Sequence, residues 1–173
     1  MGLALWPLPQ VLFSSQAIGH PTGDLADHIQ GAWWFGGEIL SGQWPVSSSI
    51  THYPESPKLW YIDPIGGLLA GVLFRPLGAT SAWNLSLLVQ LGMAALLAWR
   101  MGLDLLEQRS AALVLALTVS CSAPILGFLH SGLSECIGLA PVVGLVWSSI
   151  RCMGRDPRGR PPPRYGEFWM GLA

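Results

Sequence analysis

The chain has 173 residues, 51% of them apolar and only 11% charged, with nine basic and ten acidic side chains and a net charge of −1. A soluble domain of this size carries roughly 25% charged residues, so the composition points to a lipid-embedded chain. No basic patch is interleaved with aromatics, which removes nucleic acid as an expected partner. The three cysteines, without a CxxC pair, imply no disulfide framework.

Residues 1–19, "MGLALWPLPQVLFSSQAIG", are uncharged. Pro7, Pro9, Gln10 and Gln16 make them an imperfect first span. A signal peptide would want a positive n-region and a small-residue cleavage site, and neither is clear. "GDLADHIQGAWWFGGEILS", 23–41, then predicts an amphipathic helix lying in the membrane interface. Asp24, Asp27 and His28 share one face of it, while Leu25, Ile29 and Trp33 line another. The stretch 42–64 is rich in Ser, Pro and aromatics and predicts an ordered loop anchored by Trp44, Tyr53, Trp60 and Tyr61. "PIGGLLAGVLF", 64–74, is too short to cross a bilayer and predicts a re-entrant or interfacial helix. Its Gly67-x-x-x-Gly71 permits close contact with another helix.

Three uncharged or nearly uncharged runs follow, at 82–99, 110–129 and 132–150, each near the ~20 residues that a spanning helix needs. Pro124 and Pro141 kink two of them. The Pro- and Arg-rich tail, "RDPRGRPPPR", leads into "YGEFWMGLA", which starts another apolar segment. The chain therefore reads as a fragment or as the first part of something longer. The expected fold is an all-α membrane protein of about four transmembrane helices: 1–19 the first apolar segment, 20–81 an outer loop with juxtamembrane helices, 82–150 a three-span bundle, and 151–173 a connector.

Arginines set the orientation. Arg100 and Arg109 lie in one loop and Arg151, Arg155, Arg158, Arg160 and Arg164 follow the last span, whereas 20–81 holds only Lys58 and Arg75. The positive-inside rule makes the Arg-bearing loops cytoplasmic and 20–81 external. All four histidines and five of the ten acids (Asp24, Asp27, Glu38, Glu55 and Asp63) then fall on the outer side, with Glu135 a turn inside the membrane boundary.

Several readings of these residues stay open. Asp24 suits a helix cap. Either Asp24 or Asp27 suits a general base facing a membrane-delivered substrate. Asp24, Asp27 and His28 have a spacing that also fits a divalent metal, which the sequence does not require. Lys58 and Arg75 are the outer cations available to a phosphate. Glu135, an ionisable group at membrane depth, is a further functional candidate that His130 is placed to pair with.

The order of "GDLADH", "WWFGGEILSGQWP", "HYPESPKLWYIDPIGGLLA", "AWNLSLLVQLGMAALLAWRMG" and "LHSGLSE" resembles the amino-terminal part of bacterial polytopic glycosyltransferases of the GT-C superfamily, over roughly residues 10–150. The resemblance implies a polyprenyl-phosphate-linked sugar donor and transfer at the outer face of the bacterial inner membrane. It also implies an outer-loop carboxylate, Asp24 or Asp27, as catalytic base. His28, Lys58, Arg75 and Glu135 are then the expected substrate contacts. Such proteins usually have more spans and a carboxy-terminal soluble domain. Two other functions compete: a non-catalytic membrane subunit packing against a partner chain, and a transporter fragment using Glu135.

Overall fold

The computed structural model describes residues 16–20, 25–45, 63–134 and 137–152. These residues are helical and contain no strand. The helices are α1 (Leu25–Leu40), α2 (Pro64–Leu77), α3 (Ala79–Leu106), α4 (Arg109–Cys121), α5 (Ala123–Ser131) and α6 (Ala140–Cys152). They divide into two compact units: Met1–Gln90 with Ala123–Gly138, and Leu91–Ser122 with Leu139–Ala173. Helix α3 contributes its first half to one unit and its second half to the other.

In the first unit, α1 ends at Gly42, whose φ of 76° is the left-handed conformation that a glycine adopts without a Cβ penalty. The Gly42 N–H donates to Ile39 O at 3.0 Å and the Gln43 N–H to Glu38 O at 2.9 Å, closing a Schellman motif over the last carbonyls. The buried stripe of α1 is Leu25, Ala32 and Gly36, with Ile29 half-buried. Trp33 is 48% exposed, and Trp34 is buried at 7%. At about 100° per residue, Trp33 stands well round from Ala32, and the contact that fixes the inner face is at Gly36.

That contact answers the Gly67-x-x-x-Gly71 expectation. A Cβ on Gly36 would collide with Gly71 Cα and stand 3.1 Å from Gly67 O, so α1 and α2 touch backbone to backbone. Helices without side chains between them gain close dispersion contact, the usual route to helix association in lipid.

Helix α2 is started by its own sequence. Asp63 is the N-cap, its carboxylate accepting from Gly66 N at 2.8 Å, and Pro64 follows in the first turn. Gly78, at φ 75°, closes it by donating its N–H to Phe74 O at 2.9 Å, and Gly78 O accepts from Ala82 N as α3 begins. One glycine thus folds α2 back along the first half of α3. Gly66 and Gln90, equally far from Gly78 along the chain, meet again.

Helix α3 does not stop at Arg100, where the apolar run stops, but continues to Leu106. A charge ends a hydrophobic stretch without breaking a backbone hydrogen-bond ladder. Only Glu107, at φ 57°, and Gln108 separate α3 from α4, so most of the expected Arg-bearing loop 100–109 is helix. The expected span 110–129 is two helices, because Ser122 is extended at ψ 154° ahead of Pro124. Proline lacks the N–H that would continue the ladder and is tolerated in the first turn of the next helix. The expected span 132–150 is not one helix. Residues 132–134 and 137–139 are turn, 3-10 or irregular structure, and α6 begins at Ala140 with Pro141 in its first turn.

The second unit packs on small residues. Ala98, Ala116 and Val143 form its core, with Leu97, Met101 and Val119 against them. A Cβ on Gly102 would sit 2.7 Å from Ala112 Cα, so α3 and α4 are also in close approach. Trp147 Nε1 of α6 donates to Asp104 Oδ2 of α3 at 3.1 Å, and the Arg151 guanidinium lies 5.9 Å from the Trp147 ring centroid. Two helical stretches, Ala79–Leu106 and Arg109–Ser131, are long and apolar enough to cross a membrane.

Candidate functional site

Of the six residues singled out from sequence, Asp24, Lys58 and Glu135 lie outside the described residues. Asp27 is in the first turn of α1, where the helix dipole favours a carboxylate, and is exposed. His28 beside it is half-buried, its ring stacked on Trp83 of α3 at 6.3 Å between centroids and 28° between planes. Arg75 is in the last turn of α2, exposed, where a cation suits the negative end of the dipole. Among the described residues neither Asp27 nor Arg75 has a hydrogen-bond or ion-pair partner, and both are exposed. Among the described residues no three His, Cys, Asp or Glu side chains converge as a metal site. His130 has His20 as its ring neighbour, at 5.6 Å and 60°.

Two polar groupings in the first unit went unseen in the sequence. The first is built on Asn84, fully buried in α3. Its Oδ1 accepts from Ile18 N at 2.7 Å, its Nδ2 donates to Gln16 O at 2.9 Å, and Trp83 Nε1 donates to Ile18 O at 3.1 Å. The side-chain amide replaces a neighbouring peptide and ties residues 16–18 to the helix. Each of these backbone groups would cost about 1–3 kcal/mol if left buried and unpaired.

The second lies where α2 begins. Asp63 is 5% exposed and Gln90 2%. Asp63 Oδ1 caps Gly66 N, and Gln90 Nε2 donates to Asp63 Oδ2 over a long 3.4 Å. The other end of the same amide, Gln90 Oε1, has no partner, and neither has the hydroxyl of fully buried Ser134. A Cβ on Gly138 would lie 2.7 Å from Gln90 Oε1. Glycine at 66 is equally required, since a Cβ would run into the Asp63 carboxylate and come within 2.6 Å of Gln90 Nε2. The local signals were legible in principle: an Asp-Pro pair opening an apolar helix reads as N-cap and N1, and Asn84, Ser86 and Gln90 are polar residues inside a spanning run.

Comparison with protein-family models, curated proteins and solved structures finds no match to this chain.

Proposed function

We propose that the chain is an integral membrane protein of the bacterial inner membrane, and that it forms the amino-terminal part of a glycosyltransferase that uses a lipid-phosphate-linked sugar at the outer face. In this reading α3 crosses from outside to inside, 109–131 returns, and 1–19 and the segment containing α6 supply the outer two of four spans. Helix α2, at 14 residues about 21 Å long, is too short to cross and lies re-entrant beside the outer half of α3. Residues 20–45 are outside and 151–173 cytoplasmic.

Two observations support the membrane part. The stretches Ala79–Leu106 and Arg109–Ser131 have the length and apolarity of spans. Large apolar side chains on the second unit, Leu113, Val114, Val142 and Leu145, are more than half exposed, as lipid-facing residues are. The glycosyl-transfer part rests on the sequence resemblance, and the observation that supports a role for this chain is the exposed carboxylate of Asp27 in the first turn of α1, unpaired among the described residues. A carboxylate so placed takes the proton of an acceptor hydroxyl as the donor's sugar–phosphate bond breaks, with Asp24 the second candidate. Arg75 and Lys58 are the cations for the donor phosphate, and His28 and Glu135 the remaining substrate contacts. No metal is required for that step.

The test uses membranes containing the chain in its natural gene context and a radiolabelled polyprenyl-phosphate sugar. Asp24→Asn and Asp27→Asn are compared with the parent at matched membrane abundance. The reading expects at least one substitution to lower transfer by about 10²-fold or more. Full transfer by both variants discards it. The second reading, a non-catalytic subunit docked through a partner chain, is favoured by the exposed Trp33 on α1. Under it, Trp33→Ala loosens assembly while both aspartate variants behave as the parent.

A further inference from the structure

The geometry points to His20 and His130 as a two-imidazole binding site for a divalent transition-metal ion, with zinc the ion that the ligands suit. One histidine precedes α1 and the other ends α5, yet their rings stand 5.6 Å apart between centroids, with 60° between planes. Two imidazoles on one tetrahedral ion, each bound through a nitrogen at ~2.1 Å, have ring centroids about 5–6 Å apart. The observed separation falls in that interval. Planes at 60° also converge, as those of two ligands on one ion do, whereas the 28° between His28 and Trp83 is a stack.

The backbone holds the pair together as well as the rings. Gly19 and Gly132 meet main chain to main chain, since a Cβ on Gly19 would lie 2.9 Å from Gly132 Cα. Leu25 of α1 packs against both, its Cδ1 2.8 Å from that Cβ and 3.0 Å from one built on Gly132. Behind His20, Ile18 is fixed to α3 by Asn84 and Trp83. Beyond His130, the Leu133 N–H donates to Phe128 O at 3.0 Å and closes the end of α5. All of these residues belong to the first unit. The fold therefore sets the two imidazoles side by side, which lowers the ordering cost that two unrelated surface side chains would meet on binding.

The chemistry suits a borderline cation. Imidazole nitrogen favours zinc, copper and nickel, whereas magnesium and calcium take oxygen ligands. His130 is in the last turn of α5, the end of the helix dipole that favours positive charge. Both histidines are exposed, so an ion reaches them from solvent and water completes its coordination. No third His, Cys, Asp or Glu joins them among the described residues. The site is thus open, unlike the closed four-ligand sites that hold structural zinc.

The proposal is independent of the sugar-transfer reading and is tested by metal binding alone. The full chain, purified in detergent without a histidine tag, competes for zinc with a chromophoric chelator. The expected result is one zinc ion per monomeric chain, retained in excess magnesium. His20→Ala and His130→Ala should each bind zinc about 10²-fold more weakly, because either leaves a single imidazole. Should an alanine variant lose helix content, the glutamine variant at the same position decides. No zinc uptake by the parent overturns the proposal and leaves a ring-on-ring contact only. Uptake that both variants retain overturns it equally, because the ligands would then lie elsewhere, at His28 or His52. One ion per two chains, with dimer formation, overturns it too, since that ion would bridge copies.

Discussion

The two units solve the same packing problem with different chemistry. Of the six buried polar or charged side chains among the described residues, five (Asp63, Asn84, Ser86, Gln90 and Ser134) are in the first unit and one, Ser120, is in the second. Ser120 merely returns its hydroxyl to Ala116 O of its own helix at 2.8 Å. The second unit buries alanine and glycine between helices and turns its large apolar residues outward. The first joins distant segments through side-chain amides and a carboxylate. Apolar packing tolerates small shifts, whereas a buried polar network either satisfies its members or leaves them at cost. The first unit should therefore be the more sensitive to substitution.

The contrast is broken most forcefully at the glycine contact. Gly36→Ala places a methyl group against the α2 backbone, where no side chain can move aside. A loss of about 3 kcal/mol is expected, read as a lower midpoint in denaturant or heat. Next is Asn84→Leu, which keeps the volume but strips Ile18 N and Gln16 O of their partners. It should cost about 2–3 kcal/mol, with earlier proteolysis near residues 16–18. Gly78→Ala meets open space but must hold φ 75° with ψ 166°, a region almost reserved for glycine, at a cost of about 2 kcal/mol. In the second unit, Trp147→Phe removes the bond to Asp104 and shrinks the ring beside Arg151, and should cost about 1 kcal/mol by the same melting measurement. Smallest is Ser120→Ala, expected within about 0.5 kcal/mol of the parent, because the backbone ladder does not depend on its hydroxyl. A Ser120→Ala loss equal to that of Asn84→Leu would erase the distinction between the units.

Much of the helical plan was legible because it rests on local signals. The helix predicted over 23–41 is α1 at 25–40, the short apolar segment at 64–74 is α2 at 64–77, and the glycine pair at 67 and 71 was readable from its spacing. Boundaries were misread where hydrophobicity and the hydrogen-bond ladder part company. Arg100 ends an apolar run inside a continuing helix, while Ser122 and Pro141 interrupt or start helices inside runs that stay apolar. That Gly36 makes the closest contact of α1 was not readable, because a glycine carries no hydrophobic signal. The buried Asp63–Gln90 pair was illegible for a different reason. Its members are 27 residues apart in sequence, and the turn at Gly78 brings them together. Of the site residues chosen from sequence, Asp27 and Arg75 are exposed, and His28 is stacked on Trp83.

The pivotal assertion is that α3 traverses lipid while α2, its hairpin mate, does not. Impermeant maleimide decides this in intact cells, with single cysteines at Trp44→Cys and Arg100→Cys in a chain whose native cysteines are replaced by alanine. The account predicts that Trp44→Cys reacts from outside and Arg100→Cys reacts only after the cells are opened. Labelling of both from one side, or release of the chain from membranes by alkaline carbonate, would contradict it.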